Sequence, residues 1–264
     1  MLRVPKTFCQ GERVYLVITM AGRNTRFHDV GFDLPKYLLP MGQRTVISEI
    51  LMNLLTEVGP ENTFLVAHER DSYFENKLIM ELKQLEVPAA NIMYIGETKG
   101  QAHTAFIATN KLNLINTRPI FFHNADTVLY GRNLTKYLNQ MLNSGAAGII
   151  DTFYASEMQY SYVETKSLFV TEIVEKKVIS NYATSGLYGF SSVSTFKGAY
   201  HSVLQNNGFR DSEHFFSALY QKMISDNHRI TFLHNESFTE GNNTRVLGTP
   251  AEYQKAISEL KGEV

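Results

Sequence analysis

A single cysteine, Cys9, is the only thiol in this chain of 264 residues. That scarcity excludes an internal disulfide framework and a multi-cysteine zinc site. Neither sign of charge is in excess: 25 Lys and Arg stand against 26 Asp and Glu, a formal net charge of −1. The chain therefore has no global basic field of the kind nucleic-acid binders use, and any anion must be held by local groups. No apolar run approaches the roughly 20 residues of a membrane helix, and the opening MLRVPKTFCQGER lacks the apolar stretch of a signal peptide. The expectation is a soluble, cytoplasmic protein with neither nucleic acid nor membrane as a partner. Also missing are a Pro/Gly/Ser-rich linker, an internal repeat, an H-x-x-x-H spacing among the eight histidines, and a G-x-S-x-G elbow. No basic stretch is interleaved with aromatics as a nucleic-acid platform would be, and Phe121, Phe122, Phe215 and Phe216 read as core packing.

What is present is alternation. At 44 % hydrophobic and 19 % charged residues, the chain can bury the core of one large α/β domain spanning 1–264. Strand-like residues 14–20 precede a helical spacing over 45–55, with Val46, Ile47, Ile50, Leu51 and Leu54 on one face. A strand at 63–67 leads to a helix over 71–85, with Asp71 as its cap and Phe74, Leu78, Leu82 and Leu85 along one side. Strands at 91–95 and 119–122 alternate with helices at 102–110 and 134–142. Repeated βα units predict an α/β fold with a mostly parallel sheet flanked by helices. Later the pattern changes: strands are predicted at 147–154, 162–165, 168–174 and 182–190. Helices at 195–205 and 213–225, a strand at 228–233 and a helix at 250–260 with Pro250 in its first turn complete the chain.

The densest chemistry lies in residues 14–40, VYLVITMAGRNTRFHDVGFDLPKYLLP. A β-branched strand runs into Ala21 and Gly22, which let successive N–H groups turn toward an anion. Arg26 can fork onto phosphate oxygens, and Lys36 offers a mobile point charge. Pro35 pushes Leu34 into an extended conformation and so presents Lys36 from a loop. The string resembles the signature of nucleotidyltransferases that couple NTPs to sugar 1-phosphates, a strand followed by A-G-x-G-[ST]-R and then a P-K pair. That resemblance implies nucleotide binding by Met20, Ala21, Gly22, Arg23, Asn24 and Thr25, and catalytic roles for Arg26 and Lys36. Asn24 replaces the second glycine of the pattern; Asn is the commonest non-Gly residue at positive φ, so the turn is expected to survive.

Four further segments carry the same resemblance in order. HNADTVLYG ends an apolar strand at Asp126, the position of the family's metal-binding Asp, with Ala125 where glycine is usual. Mg²⁺ is the ion implied, since it favours a carboxylate completed by phosphate oxygens and water. In ETKGQA, Gly100, Gln101 and Ala102 match the segment that approaches the nucleobase, where glycine leaves room; alone, the stretch is a βα turn with Gly100 serving geometry. Glu175 and Lys176 match a V-E-K motif that orients the acceptor and neutralises its phosphate. Gly186 in SGLYGF matches a close-approach position beside the sugar, though alone it is also compatible with a bulge. The family's late D-x-G-T-P motif departs here, with Val246 in place of the Asp; Glu240 is the acidic residue considered as a substitute.

The resemblance implies a Rossmann-like, GT-A-like domain, with residues 14–145 as a nucleotide-binding half and 146–264 as an acceptor-binding half with a C-terminal helix. Its partners are an NTP and a phosphorylated sugar or small phosphorylated acceptor, and a homo-oligomer is left open. The reaction implied is transfer of NMP with release of pyrophosphate, most similar to short members associated with capsule or surface-polysaccharide precursors. Two other readings stay open. A glycosyltransferase of related fold would use Asn124-Ala125-Asp126 as a degenerate D-x-D metal motif, and a non-catalytic regulatory homologue would account for Asn24 and Val246 together.

Overall fold

The computed structural model describes residues 14–56, 58–209, 213–234 and 243–262; Cys9 and Glu240 lie outside them. In chain order the first half comprises β1 (Tyr15–Met20), α1 (Thr25–His28), β2 (Pro40–Met41), β3 (Arg44–Thr45), α2 (Val46–Leu54), β4 (Thr63–His68), α3 (Glu75–Lys83), β5 (Ile92–Ile95), α4 (Gln101–Lys111), β6 (Ile120–Asn124), β7 (Thr127–Leu129) and α5 (Leu134–Asn143). The second half comprises β8 (Gly148–Tyr154), β9 (Ser161–Lys166), β10 (Phe169–Glu175), β11 (Tyr182–Phe190), α6 (Val193–Gln205), α7 (Phe216–Ser225), β12 (Ile230–His234), β13 (Thr244–Val246) and α8 (Pro250–Lys261).

Nine strands form one sheet in the order β5-β4-β1-β6-β11-β8-β12-β10-β9. The first four are parallel, as βα units require. Then β11 enters antiparallel between β6 and β8, β12 runs parallel to β8, and β9 with β10 forms an antiparallel pair at the far edge. All six residues of β1 are buried, because parallel strands are covered on both faces. Side chains alternate across the pleat: Leu16 and Ile18 join α2 in one core, while Tyr15 and Val17 face α4, α6 and α7 in the other. Among the described residues no helix is long and apolar enough to cross a membrane.

Three expectations are corrected. Asp71 does not cap a helix: it lies inside a 3₁₀ segment, Glu69–Phe74, headed by His68, whose ring accepts from the Arg70 amide. The Asp71 carboxylate instead accepts from the Tyr37 hydroxyl at 3.2 Å. The helix expected from residue 213 begins at Phe216, because His214 makes main-chain hydrogen bonds with Lys99 before α4 and with Ala102 in its first turn. Lys36 opens a single 3₁₀ turn, Lys36–Leu38, and does not sit in a loop; Pro35 before it has φ −55° and ψ 139°.

Candidate active site

Met20 and Asn124, at the carboxyl ends of the parallel strands β1 and β6, open onto one cleft of about 910 Å³, which Glu175 at the end of β10 also lines. This is the end of an α/β sheet at which ligands usually sit. Every site residue expected from the sequence lines the cleft except Ala102. Ala102 is fully buried, and its amide donates to the His214 carbonyl at 2.9 Å.

The first turn keeps its shape without the second glycine. Asn24 adopts φ 57° and ψ 17°, the left-handed conformation, and stands at the N-cap position of the short helix α1 without a capping bond from its side chain. Asn tolerates that region better than other non-glycine residues, so the departure from the motif is absorbed locally. No protein atom lies within 4 Å of a Cβ built on Gly22, which leaves the backbone there bare. Arg23 is not a free cation: its Nε lies 3.3 Å from Glu97 Oε2. Glu97 also meets His68 at 3.3 Å and Arg70 at 3.6 Å, while Arg70 donates to the Gly22 carbonyl. These pairs brace the turn from outside. Arg26 is exposed to the cleft with no ion-pair partner among the described residues, which leaves it as the turn's available guanidinium.

Across from the turn, Lys36 Nζ lies 2.6 Å from Asp126 Oδ2, each side chain only about a quarter exposed (25 % and 24 %). Burial alone would raise the Asp126 pKa, but the charge and hydrogen bond of Lys36, with His123 and Thr127 behind, hold it below the usual carboxylate value. Asp126 is thus held as an anion. Val246 pairs with Thr127 across the β7–β13 ribbon, so it occupies the place beside Asp126 where a second acid would sit, as an apolar side chain. Glu252 is near, but its carboxylate is engaged by the Thr249 amide and hydroxyl and by Gln159. Among the described residues no group of three His, Cys, Asp or Glu could hold a metal. One carboxylate suits Mg²⁺ only when phosphates and water complete the shell.

At the other end of the cleft, Glu175 Oε2 accepts from Ser161 Oγ and from Ser217 Oγ, the latter at 2.8 Å; no bond to Oε1 is made among the described residues. Lys176 leaves β10 with φ 53°, a strained conformation for a side-chain-bearing residue, and its Nζ stands 4.7 Å above the Phe215 ring. Gly186 sits in a bulge, and the approach seen there is to Asn124. Register against β8 shifts between Thr184 and Tyr188, φ is 90°, and a Cβ there would come within 2.7 Å of Asn124 Nδ2. Beneath it, buried Asp151 binds Arg132, Tyr137 and Ser185, fixing the floor.

Gly100 is needed for a reason the sequence did not reveal. A Cβ on it would lie 2.6 Å from Glu213 Cγ and 2.9 Å from the His214 amide nitrogen, and its φ is 130°. The room that glycine leaves is filled by protein backbone. Glu213, Phe215, Gln159, Tyr160, Arg70 and Ser217 were all missed from the sequence, since each reaches the site through contacts remote in the chain and belongs to no short motif. Phe215, expected in the core, is half-buried and lines the cleft, whereas Phe121, Phe122 and Phe216 are buried as expected.

The segment carrying these residues gives a pH-dependent signal. Burial, then the charges of His103 and Lys99, push His214 down to about 4, against about 6.5 when unfolded. The unfolded chain therefore binds more protons between those values, and stability falls as pH drops from 6.5 toward 4. In urea denaturation, His214→Gln is expected to flatten that acid-side loss relative to wild type; parallel curves would remove His214 as its source.

No curated protein matches this sequence. The fold is similar to that of the nucleoside-diphosphate-sugar pyrophosphorylase from Vibrio cholerae RC9, with TM-score 0.76, 20 % identity, and coverage of 92 % of this chain and 99 % of that one. It is also similar to the inositol-1-phosphate CTP transferase from T. maritima, with TM-score 0.65, 16 % identity and coverage of 97 % and 99 %. At such identities these likenesses establish the architecture. The motifs along the cleft agree with a match to the nucleotidyl transferase family profile over residues 15–238, and the chain belongs to that family.

Proposed function

We propose that this protein transfers the NMP group of an NTP to a sugar 1-phosphate or similar phosphorylated acceptor and releases pyrophosphate. The observation that carries this reading is the Lys36–Asp126 pair, 2.6 Å apart, in the same cleft as the bare turn with Arg26 and as Glu175 and Lys176. An acceptor phosphate oxygen attacks the α-phosphorus, a new P–O bond forms, and the bond to the β-phosphate oxygen breaks with its electrons leaving on pyrophosphate. The attacking oxygen is already ionised near neutral pH, so no side-chain base is required. The obstacle is holding two polyanions in line, which positioning and charge neutralisation overcome.

The turn at residues 20–25 and Arg26 hold the NTP phosphates, and Lys36 lies between them and the reacting centre. Glu175 orients the acceptor, and Lys176 meets its phosphate. Asp126 would hold Mg²⁺, which when bound neutralises phosphate charge. The names of the two structural neighbours, one acting on nucleoside-diphosphate sugars and one on inositol 1-phosphate, support a phosphorylated sugar or polyol as acceptor. Supply of a surface-polysaccharide precursor in the cytoplasm is the corresponding role.

The test is pyrophosphate release with each of the four NTPs over a panel of sugar 1-phosphates and small phosphorylated alcohols. Release with one pair is expected. Nucleotide binding without turnover would establish a regulatory homologue, and sugar transfer from a nucleotide-sugar would establish a glycosyltransferase.

A further inference from the structure

We infer that residues 213–217 form a strut that sets the acceptor-binding pair, with Phe215 and Ser217 as positioning residues for Lys176 and Glu175. The inference rests on reading those two residues as the acceptor site. Among the described residues the Phe215 ring meets no other aromatic ring, and its face is covered by the Lys176 ammonium, 4.7 Å from the centroid. A cation held over a ring gains energy that grows as water is excluded. Lys176 needs such a hold: its φ of 53° is a conformation that persists only where surroundings over-determine it, and such residues gather at ligand clamps. Its amide also donates to the Tyr160 carbonyl at 3.0 Å, so both ends of the residue are fixed.

Two residues further on, Ser217 acts on the other member of the pair. With Ser161 it occupies Glu175 Oε2, which turns the carboxylate so that Oε1 is left for a donor on the acceptor. At its start the same segment is clipped to the nucleotide side: the His214 amide donates to the Lys99 carbonyl at 2.7 Å, and the His214 carbonyl accepts from Ala102 at 2.9 Å. Glycine at position 100 permits that approach. One short stretch thus touches the loop assigned to the base and both residues assigned to the acceptor, and it fixes the distance between them.

The placement is read directly by NMR on protein whose lysines are ¹³C-dimethylated, with the Lys176 signal assigned through Lys176→Arg. That signal is expected upfield in wild type because of the ring current, at the free-lysine position in Phe215→Leu, and upfield again in Phe215→Tyr. A wild-type signal at the free-lysine position, or one insensitive to Phe215→Leu, overturns the inference. In turnover, Phe215→Leu is expected to raise the acceptor KM about tenfold with the NTP KM within about twofold, and Phe215→Tyr to restore it. Ser217→Ala is expected to raise the acceptor KM in the same selective way. An equal rise in both KM values, or no rise for the acceptor, also overturns it. A wild-type enzyme that releases no pyrophosphate from any pair defeats the proposed reaction alone, and the Lys176 resonance still decides the strut.

Discussion

Lys36→Ala is expected to lower kcat/KM for pyrophosphate release by about 10²- to 10³-fold, the loss seen when one preorganised donor is removed from a developing charge. The fold should survive, because the turn that carries Lys36 is held by buried Tyr37, Leu38 and Leu39 and by the Leu38 amide on the Pro35 carbonyl at 2.8 Å; the Lys36 ammonium contributes nothing to that packing. A second readout should move the opposite way. Lys36 holds Asp126 at 2.6 Å, so a divalent cation using that carboxylate would compete with the lysine. Without the lysine, calorimetric titration with Mg²⁺ should give tighter binding while turnover collapses. Near-normal turnover would remove Lys36 from the mechanism, and unchanged metal affinity would show that the ion does not use Asp126 in competition with it. Lys36→Arg keeps the charge but exchanges a compact, mobile ammonium for a rigid fork, and it should recover only part of the rate.

Asp126→Asn is expected to be at least as damaging, about a thousandfold or more in kcat, since a bound divalent ion supplies several kcal/mol of charge stabilisation. The replacement is close in size, and the main-chain bond from the Leu247 amide to the carbonyl of residue 126 (2.7 Å) does not depend on the side chain. The ribbon of β7 and β13 should therefore remain, and circular dichroism should match wild type. What is lost is the carboxylate proposed to share an ion with phosphates. With Val246 apolar and Glu252 tied to Thr249 and Gln159, no second acid among the described residues stands free beside it to compensate. The metal dependence itself should change: wild-type turnover should rise with Mg²⁺ and vanish in chelator, while the residual Asp126→Asn rate should respond weakly. A variant that keeps wild-type Mg²⁺ dependence would place the ion elsewhere.

Much of the first half was legible because it is built from local rules. The buried run of β1, the helical spacing of α2, and the strand leading to Asp126 each carry their own periodicity, and their order in the chain is their order as βα units. The second half was legible as elements but not as a sheet. Nothing in the sequence says that β11 inserts antiparallel between β6 and β8, because strand order is a matter of which faces bury each other. Elements such as α1, with four residues, and the ribbons β2–β3 and β7–β13 are too short to show a period. Asp71 misled for a related reason: a capping residue is recognised by type, and here the type serves a buried bond to Tyr37.

The site divides in the same way. From the sequence alone came the residues that must be a particular chemical type at a particular local conformation: the small-residue turn, Asn24 in its left-handed well, Arg26, Lys36, Asp126, and the Glu175–Lys176 pair. The turn, Asn24, Arg26 and Lys36 follow from nearest-neighbour stereochemistry and charge, which a string of letters contains; Asp126 and the Glu175–Lys176 pair were singled out by the family resemblance. Only the tertiary structure decided that Arg23 pairs with Glu97, that Lys36 rests on Asp126, that Gly100 makes way for the backbone of His214, and that Phe215 lies under Lys176. Each of those facts is a distance between residues far apart in the chain, and such distances are set by how two layers of helices close over one sheet.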